Sequence, residues 1–164
     1  MKKIGLLSDT HSFLDPKVFH YFKDVDEIWH AGDIGDYNVV VELQKFKPIR
    51  AVFGNIDDTK IRSEFKEVLR FTLEGVDILM THIGGKPTNY SKIALEEIKK
   101  SPPNLFICGH SHILLVKMDP KFNFLFMNPG ACGNKGFHKV KTILRFELEN
   151  GKIQQLEAIE LGNR

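Results

Sequence analysis

The chain has 164 residues, 42% of them hydrophobic, which is enough for one substantial core and too short for two ordinary domains, so residues 1–164 are read as a single domain. Lysine and arginine total 23 against 21 aspartates and glutamates, and a formal charge of +2 gives no electrostatic footprint for nucleic acid or an anionic membrane. No stretch reaches the ~20 apolar residues of a membrane span, and the only cysteines, Cys108 and Cys132, form neither a disulfide framework nor a C-x-x-C pattern, so a reduced cytoplasmic setting is expected.

In chain order, the apolar run IGLL predicts a first strand that stops at Leu7, too short for a signal-peptide core. Asp15-Pro16 then offers an N-cap and first-turn proline to a helix carrying Val18, Phe19 and Phe22. The strand IWHA follows, then a helix capped by Asp36 with Val39, Val40, Leu43 and Phe46 on one face, ended by Pro48, then the strand IRAVF. This β-α-β-α-β order implies right-handed crossovers and at least a partly parallel sheet. Residues 67–74 and 76–81 read as a hairpin turning at Glu74-Gly75, and a helix from Ser91 to Lys100 is stopped by Ser101-Pro102-Pro103. Strand-like runs at 104–108, 113–118, 124–127, 140–148 and 152–159 complete the chain, the last two joined by the strong hairpin signal Asn150-Gly151. Strands outnumber helices and their connections are mixed, so an α/β fold of two stacked sheets flanked by helices is expected.

Five of these strands end in short polar motifs: Ser8-Asp9-Thr10-His11, Gly32-Asp33, Gly54-Asn55, Thr81-His82 and Gly109-His110-Ser111-His112. Carboxylate, amide oxygen and imidazole together suit a borderline-hard divalent ion, with Mn²⁺ first and Ni²⁺, Zn²⁺, Fe²⁺ or Mg²⁺ as alternatives. Asp9 and His11, like His110 and His112, stand at i and i+2, so an extended backbone would project each pair to one side. A catalytic metal needs only three or four protein ligands. The seven candidates Asp9, His11, Asp33, Asn55, His82, His110 and His112 therefore argue for two metals, with Asp9 or Asp33 bridging. Two divalent ions less two carboxylates leave a site of about +2, which favours a hydroxide together with a singly charged phosphodiester. Metal-activated water then serves as the nucleophile in place of any side chain.

The set DTH, HAGD, GNID, TH, GHSH and NPG, in this order, resembles the calcineurin-like metallophosphoesterase superfamily, in particular its small bacterial and archaeal phosphodiesterase branch. The resemblance spans nearly the whole chain and implies a four-layer αββα sandwich, two mixed β-sheets with helices outside. It implies Asp9, His11, Asp33 and His112 at one metal and Asp33, Asn55, His82 and His110 at the other, which makes Asp33 the bridge. Many phosphomonoesterase relatives carry a histidine after the asparagine, and here Ile56 stands in that place. Isoleucine cannot donate a proton, so general-acid help of typically ~10²–10⁴-fold is missing there. Hydrolysis of phosphodiesters by a metal-bridging hydroxide is accordingly expected, on a small-molecule or nucleotide-type substrate, with self-association left open. Where relatives commonly end the NPG motif in serine, this chain has Ala131.

Two other readings share the fold: a protein-binding scaffold, as in the retromer scaffold subunit, and a phosphomonoesterase or protein phosphatase. A scaffold has no need for all seven ligand-type residues, and Ile56 argues against the second. Asn55 and His138 are candidate substrate contacts, and residues 83–90 a candidate wall. His30 is expected to pack or to support a ligand, His20 to lie on the surface, and Asp36 and Asp57 to cap or turn. Cys108 reads as a buried inert thiol, Trp29 as core, and Lys135, Lys139 and Lys141 as solvated.

Overall fold

The computed structural model describes residues 1–164. Its elements are β1 (Lys2–Leu7), α1 (Lys17–Tyr21), β2 (Glu27–His30), α2 (Tyr37–Phe46), β3 (Ile49–Ala51), α3 (Thr59–Glu64), β4 (Val68–Leu73) and β5 (Val76–Thr81). There follow β6 (Gly85–Lys86), β7 (Asn89–Tyr90), α4 (Lys92–Lys100), β8 (Leu105–Ile107), β9 (Leu114–Met118), β10 (Leu125–Pro129), β11 (Val140–Glu149) and β12 (Lys152–Asn163). One five-stranded sheet runs β12-β11-β1-β2-β3 and a second runs β4-β5-β8-β10-β9, each mixing parallel and antiparallel pairs.

The layers follow from strands with both faces buried, where alternate side chains serve different cores. Ile4 and Leu6 of β1, Ile78 and Met80 of β5, Leu105 and Ile107 of β8, and Leu144, Phe146 and Leu148 of β11 fill the space between the sheets. The residues between them face outward: Leu7 and Ile143 meet Val18, Val39, Val40, Leu43 and Ile61 from α1, α2 and α3, while Leu79 and Phe106 meet Ala94 and Ile98 of α4. The result is the four-layer sandwich that the resemblance implies. Trp29 lies fully buried between the sheets with edge-to-face contacts to Phe71 and Phe146 at 5.1 and 5.7 Å, each contact contributing ~0.5–1.5 kcal/mol beyond its area. No helix is long and apolar enough to cross a membrane.

Several details depart from the expected elements. α3 was not expected: its six residues bury only Ile61, too little for a periodic signal, although the Asp58 side chain accepts from Ile61 N at its start. The strand expected over 49–53 stops at Ala51, and β12 extends past 159 to Asn163. Lys141 is not solvated. It lies on β11 and pairs with Asp15 at 2.7 Å, the two side chains 11% and 5% exposed. Pro16, expected in the first turn, is itself the N-cap of α1, and Asp15 before it accepts from Lys17 N at 2.9 Å, so it ties the start of the helix to β11. Lys135 and Lys139 are exposed, as expected.

The fold matters for function through strand direction. β1, β2 and β3 run parallel, and so do β5, β8 and β10. Their carboxyl ends therefore collect the chain's polar motifs in one crevice, where open α/β sheets generally bind ligands.

Candidate metal centre

Every one of the seven candidate ligands lies just beyond a strand end: Asp9 and His11 after β1, Asp33 after β2, Asn55 after β3, His82 after β5, and His110 and His112 after β8. The geometry that brings them together differs from the expected alternation. Asp9, His11, Asp33, His110 and His112 all have positive φ, between 45° and 71°, so left-handed turns aim these side chains. Non-glycine residues there cost on the order of 1–3 kcal/mol each, a strain typical of functional sites. The turns are cross-braced by Asp9 N to Gly32 O (3.0 Å), His11 N to Asp33 O (3.1 Å) and Gly109 N to His82 O (3.0 Å).

Two ligand clusters result. Asp9, His11 and His112 form one and Asp33, His82 and His110 the other, the ligand atoms of each lying within 4.8 Å of one another. The clusters touch. Asp33 Oδ2 is 3.4 Å from His11 Nε2 and 3.2 Å from His82 Nε2, while Asp9 Oδ1 is 3.1 Å from His112 Nε2 and 3.7 Å from both His11 and His82 Nε2. Asn55 Oδ1 is 3.1 Å from His110 Nδ1, which places it with the second cluster.

Hydrogen bonds to the far side of each group fix these orientations. Asp9 Oδ2 accepts from the Ser8 hydroxyl (2.6 Å) and His110 N (3.1 Å), and Asp33 Oδ1 accepts from Ile56 N (3.0 Å), so each carboxylate turns its other oxygen inward. The Ala31 carbonyl accepts from His82 Nδ1 at 2.7 Å, which leaves Nε2 to face the carboxylates. Gly54 and Gly109 are required by close approach. A Cβ at Gly54 would fall 2.0 Å from Asp33 Oδ1, and one at Gly109 would fall 2.2 Å from Ser8 Oγ.

Burial alone would raise the carboxyl pKa of Asp9 and of Asp33, but His11 and His112 around Asp9, and His11 and His82 around Asp33, hold both well below the carboxylate range. Reciprocally, Asp33 and then Asp9 raise His11 to about 9. Burial opposes charge on His82, yet the same carboxylates push its pKa up. The two carboxylates thus favour positive charge on the groups that face them.

Residues 1–151 match the family model of the calcineurin-like phosphoesterase superfamily domain. The chain belongs to this superfamily. A probable metallophosphoesterase of Methanocaldococcus jannaschii is 29% identical over 167 residues, covering 96% of this chain and 81% of the relative. Among solved structures, an archaeal phosphodiesterase superposes with a TM-score of 0.78 at 23% identity, over 97% of this chain and 99% of that one. Vps29 of Entamoeba histolytica, solved with Zn²⁺, gives 0.70 at 17% identity over 96% and 98%. At these identities the two structural likenesses are likenesses of fold.

Divalent ions are implied by the superfamily, and this chain fits them on its own geometry. Asp9 Oδ1, His11 Nε2 and His82 Nε2 are buried without hydrogen-bond partners, and all three face the junction of the two clusters. Unpaired buried polar atoms are costly unless something else satisfies them, and carboxylate and imidazole donors are what a divalent ion would use.

The remaining candidates fall around this centre. His30 is buried and supports it: its Nδ1 accepts from Gly32 N (3.1 Å) and its Nε2 donates to the Thr10 hydroxyl (3.0 Å), which donates to Ile34 O (2.7 Å). Burial lowers its pKa to about 3, so it stays neutral. His138 donates from Nε2 to Gly133 O at 2.7 Å, and its ring stands edge-on to His112 with centroids 5.2 Å apart. His20 is exposed, Asp36 caps α2, and burial pushes the Cys108 and Cys132 thiols to about 12. Asp57 accepts from Gly54 N (2.7 Å) and Gly35 N (2.8 Å), tying two ligand loops together.

The supporting roles of two residues, Asn128 of the NPG motif and Arg62, come only from the structure. Asn128 donates to Gly109 O (3.0 Å) and the Ser111 hydroxyl (3.1 Å), bracing the GHSH turn; its place before Pro129-Gly130 was the available signal. Arg62 of α3 reaches the carbonyls of Gly54, Asn55 and Asp57, holding the loop that presents Asn55. With α3 unexpected, nothing singled Arg62 out.

Proposed function

We propose that this chain is a single-domain, cytoplasmic phosphodiesterase that works with two divalent ions, Mn²⁺ the first candidate. Asp9, His11, Asp33 and His112 would hold one ion and Asp33, Asn55, His82 and His110 the other, with Asp33 shared. The observation that carries this reading is the pair of touching clusters with inward-facing atoms that no protein group satisfies. Bound there, the ions supply positive charge against a phosphoryl group and activate water as the nucleophile.

The chain's own residues set the rest. No serine, cysteine or lysine nucleophile is required, and the two cysteines are buried thiols held protonated. Asn55 is exposed at the rim, so its amide can reach a bound phosphate. Ile56 beside it, 46% exposed, can exclude water but cannot donate a proton to a leaving oxygen. Diesters with good leaving groups need that donor least.

The metal-loaded protein is therefore expected to hydrolyse bis(4-nitrophenyl) phosphate with a higher kcat/KM than 4-nitrophenyl phosphate, by at least roughly tenfold given the value of a missing general acid. Side-by-side initial rates on the two esters check this. The reverse ranking would contradict it.

A further inference from the structure

Three of the candidate ligands are each followed directly by an isoleucine left in solvent: Ile56 after Asn55, Ile83 after His82 and Ile113 after His112, exposed 46, 45 and 64%. Single exposed hydrophobes are ordinary, but this recurrence puts an apolar collar on a highly polar centre. Two of the three border one cavity. It has a volume of about 610 Å³ and opens beside His110, with Ile83, Ile113, Leu115, Phe126 and Tyr90 supplying its apolar lining. The Tyr90 hydroxyl is tied to Asp119, so the ring is fixed as a wall and its polar end is already used. Ile83 also borders the neighbouring cavity of about 370 Å³, whose lining sets Phe53 and Ile93 beside the charged Arg62, Glu67 and Lys92. Ile83 and Ser91 line both cavities and so stand between them, and both cavities reach ligands of the second cluster.

A phosphodiester has two ester arms meeting at one phosphate, and here two cavities meet at one centre. We propose that the cavity beside His110 holds one apolar ester arm of the substrate, with Ile83 and Ile113 as specificity-determining residues. The proposal rests on the phosphodiesterase reading for what sits at the centre. Its own support is the apolar lining and the exposed isoleucines. An arm the size of an aromatic ring fits the volume, and transferring it from water onto Ile83, Ile113 and Leu115 is favourable through apolar area alone.

The test uses phosphinates, which carry the single negative charge of a diester on C–P bonds that are not hydrolysed. Zn²⁺-loaded protein with ¹³C-labelled isoleucine methyls is titrated with diphenylphosphinate and with dimethylphosphinate. Diphenylphosphinate is expected to bind roughly tenfold more tightly, a modest return on the extra ring area, and to shift the methyl resonances of Ile83 and Ile113. Ile113→Asn should cut the preference to about threefold or less, whereas Leu156→Asn, an exposed hydrophobe on β12, should leave it intact. Equal binding of the two phosphinates, or a preference that Ile113→Asn does not reduce, would overturn the subsite. The failure of the parent reading looks different: the Mn²⁺-loaded protein would hydrolyse no diester while the preference for diphenylphosphinate persisted, and that result would sustain the subsite.

Discussion

Asp33→Asn is expected to lower diesterase activity on the order of 10³-fold, the scale on which removal of a key charge-stabilising group acts, and to leave the protein with fewer than two bound ions. The reason is position. Asp33 Oδ2 lies within 3.4 Å of a histidine from each cluster, so one side chain serves both. Its other oxygen accepts from Ile56 N, a bond that asparagine can keep, so the loop should hold its shape while one negative charge disappears. With two +2 ions in place, Asp9 would then be the only carboxylate left to offset them. Elemental analysis beside initial rates measures both consequences. A variant that retained two tightly held ions and wild-type rates would remove Asp33 from the centre.

The second large effect is on stability and lies away from the cluster. Lys141→Met is expected to destabilise the protein by about 3 kcal/mol at neutral pH, because it leaves Asp15 buried and charged without its partner. Burial alone would raise Asp15's pKa, but the Lys141 ammonium at 2.7 Å and the Lys17 amide outweigh it and lower the pKa from its ordinary 3.8. A carboxyl with a lowered folded pKa contributes stability above 3.8 and loses it as pH falls through the folded value. The deficit should therefore be full at pH 7 and should close as the solution is acidified below about pH 4, where Asp15 takes up a proton in the variant. Urea unfolding of both proteins across that range measures it. A deficit independent of pH would assign the loss to the contact of the Lys141 ammonium with the Phe13 ring, 5.2 Å from its centroid.

Much of this was legible in the sequence because the signals were local. Asp36 caps its helix as expected, and the helix expected from Ser91 to Lys100 forms over Lys92–Lys100 with the Ser91 side chain accepting from Ala94 N at its start. Glu74-Gly75 and Asn150-Gly151 both turn with two positive φ values, the backbone that a tight hairpin demands. The ligand motifs were visible because strand ends concentrate them. What was not legible depended on contacts between distant segments. Arg62 matters only because α3 folds back on the 54–57 loop, and Lys141 only because β11 meets the turn before α1. The i, i+2 spacing of Asp9 and His11 suggested extended backbone. The left-handed turns that orient them depend on bracing from the carbonyls of Gly32 and Asp33, which follow another strand.

The central claim is that one crevice at the carboxyl ends of two parallel strand sets holds two divalent ions and uses both. Titration of metal-free protein with Mn²⁺, followed by initial rates on bis(4-nitrophenyl) phosphate, tests it most directly. Activity should rise with added ion and level off at two equivalents per chain. A plateau at one equivalent, or no hydrolysis at any occupancy, would contradict it.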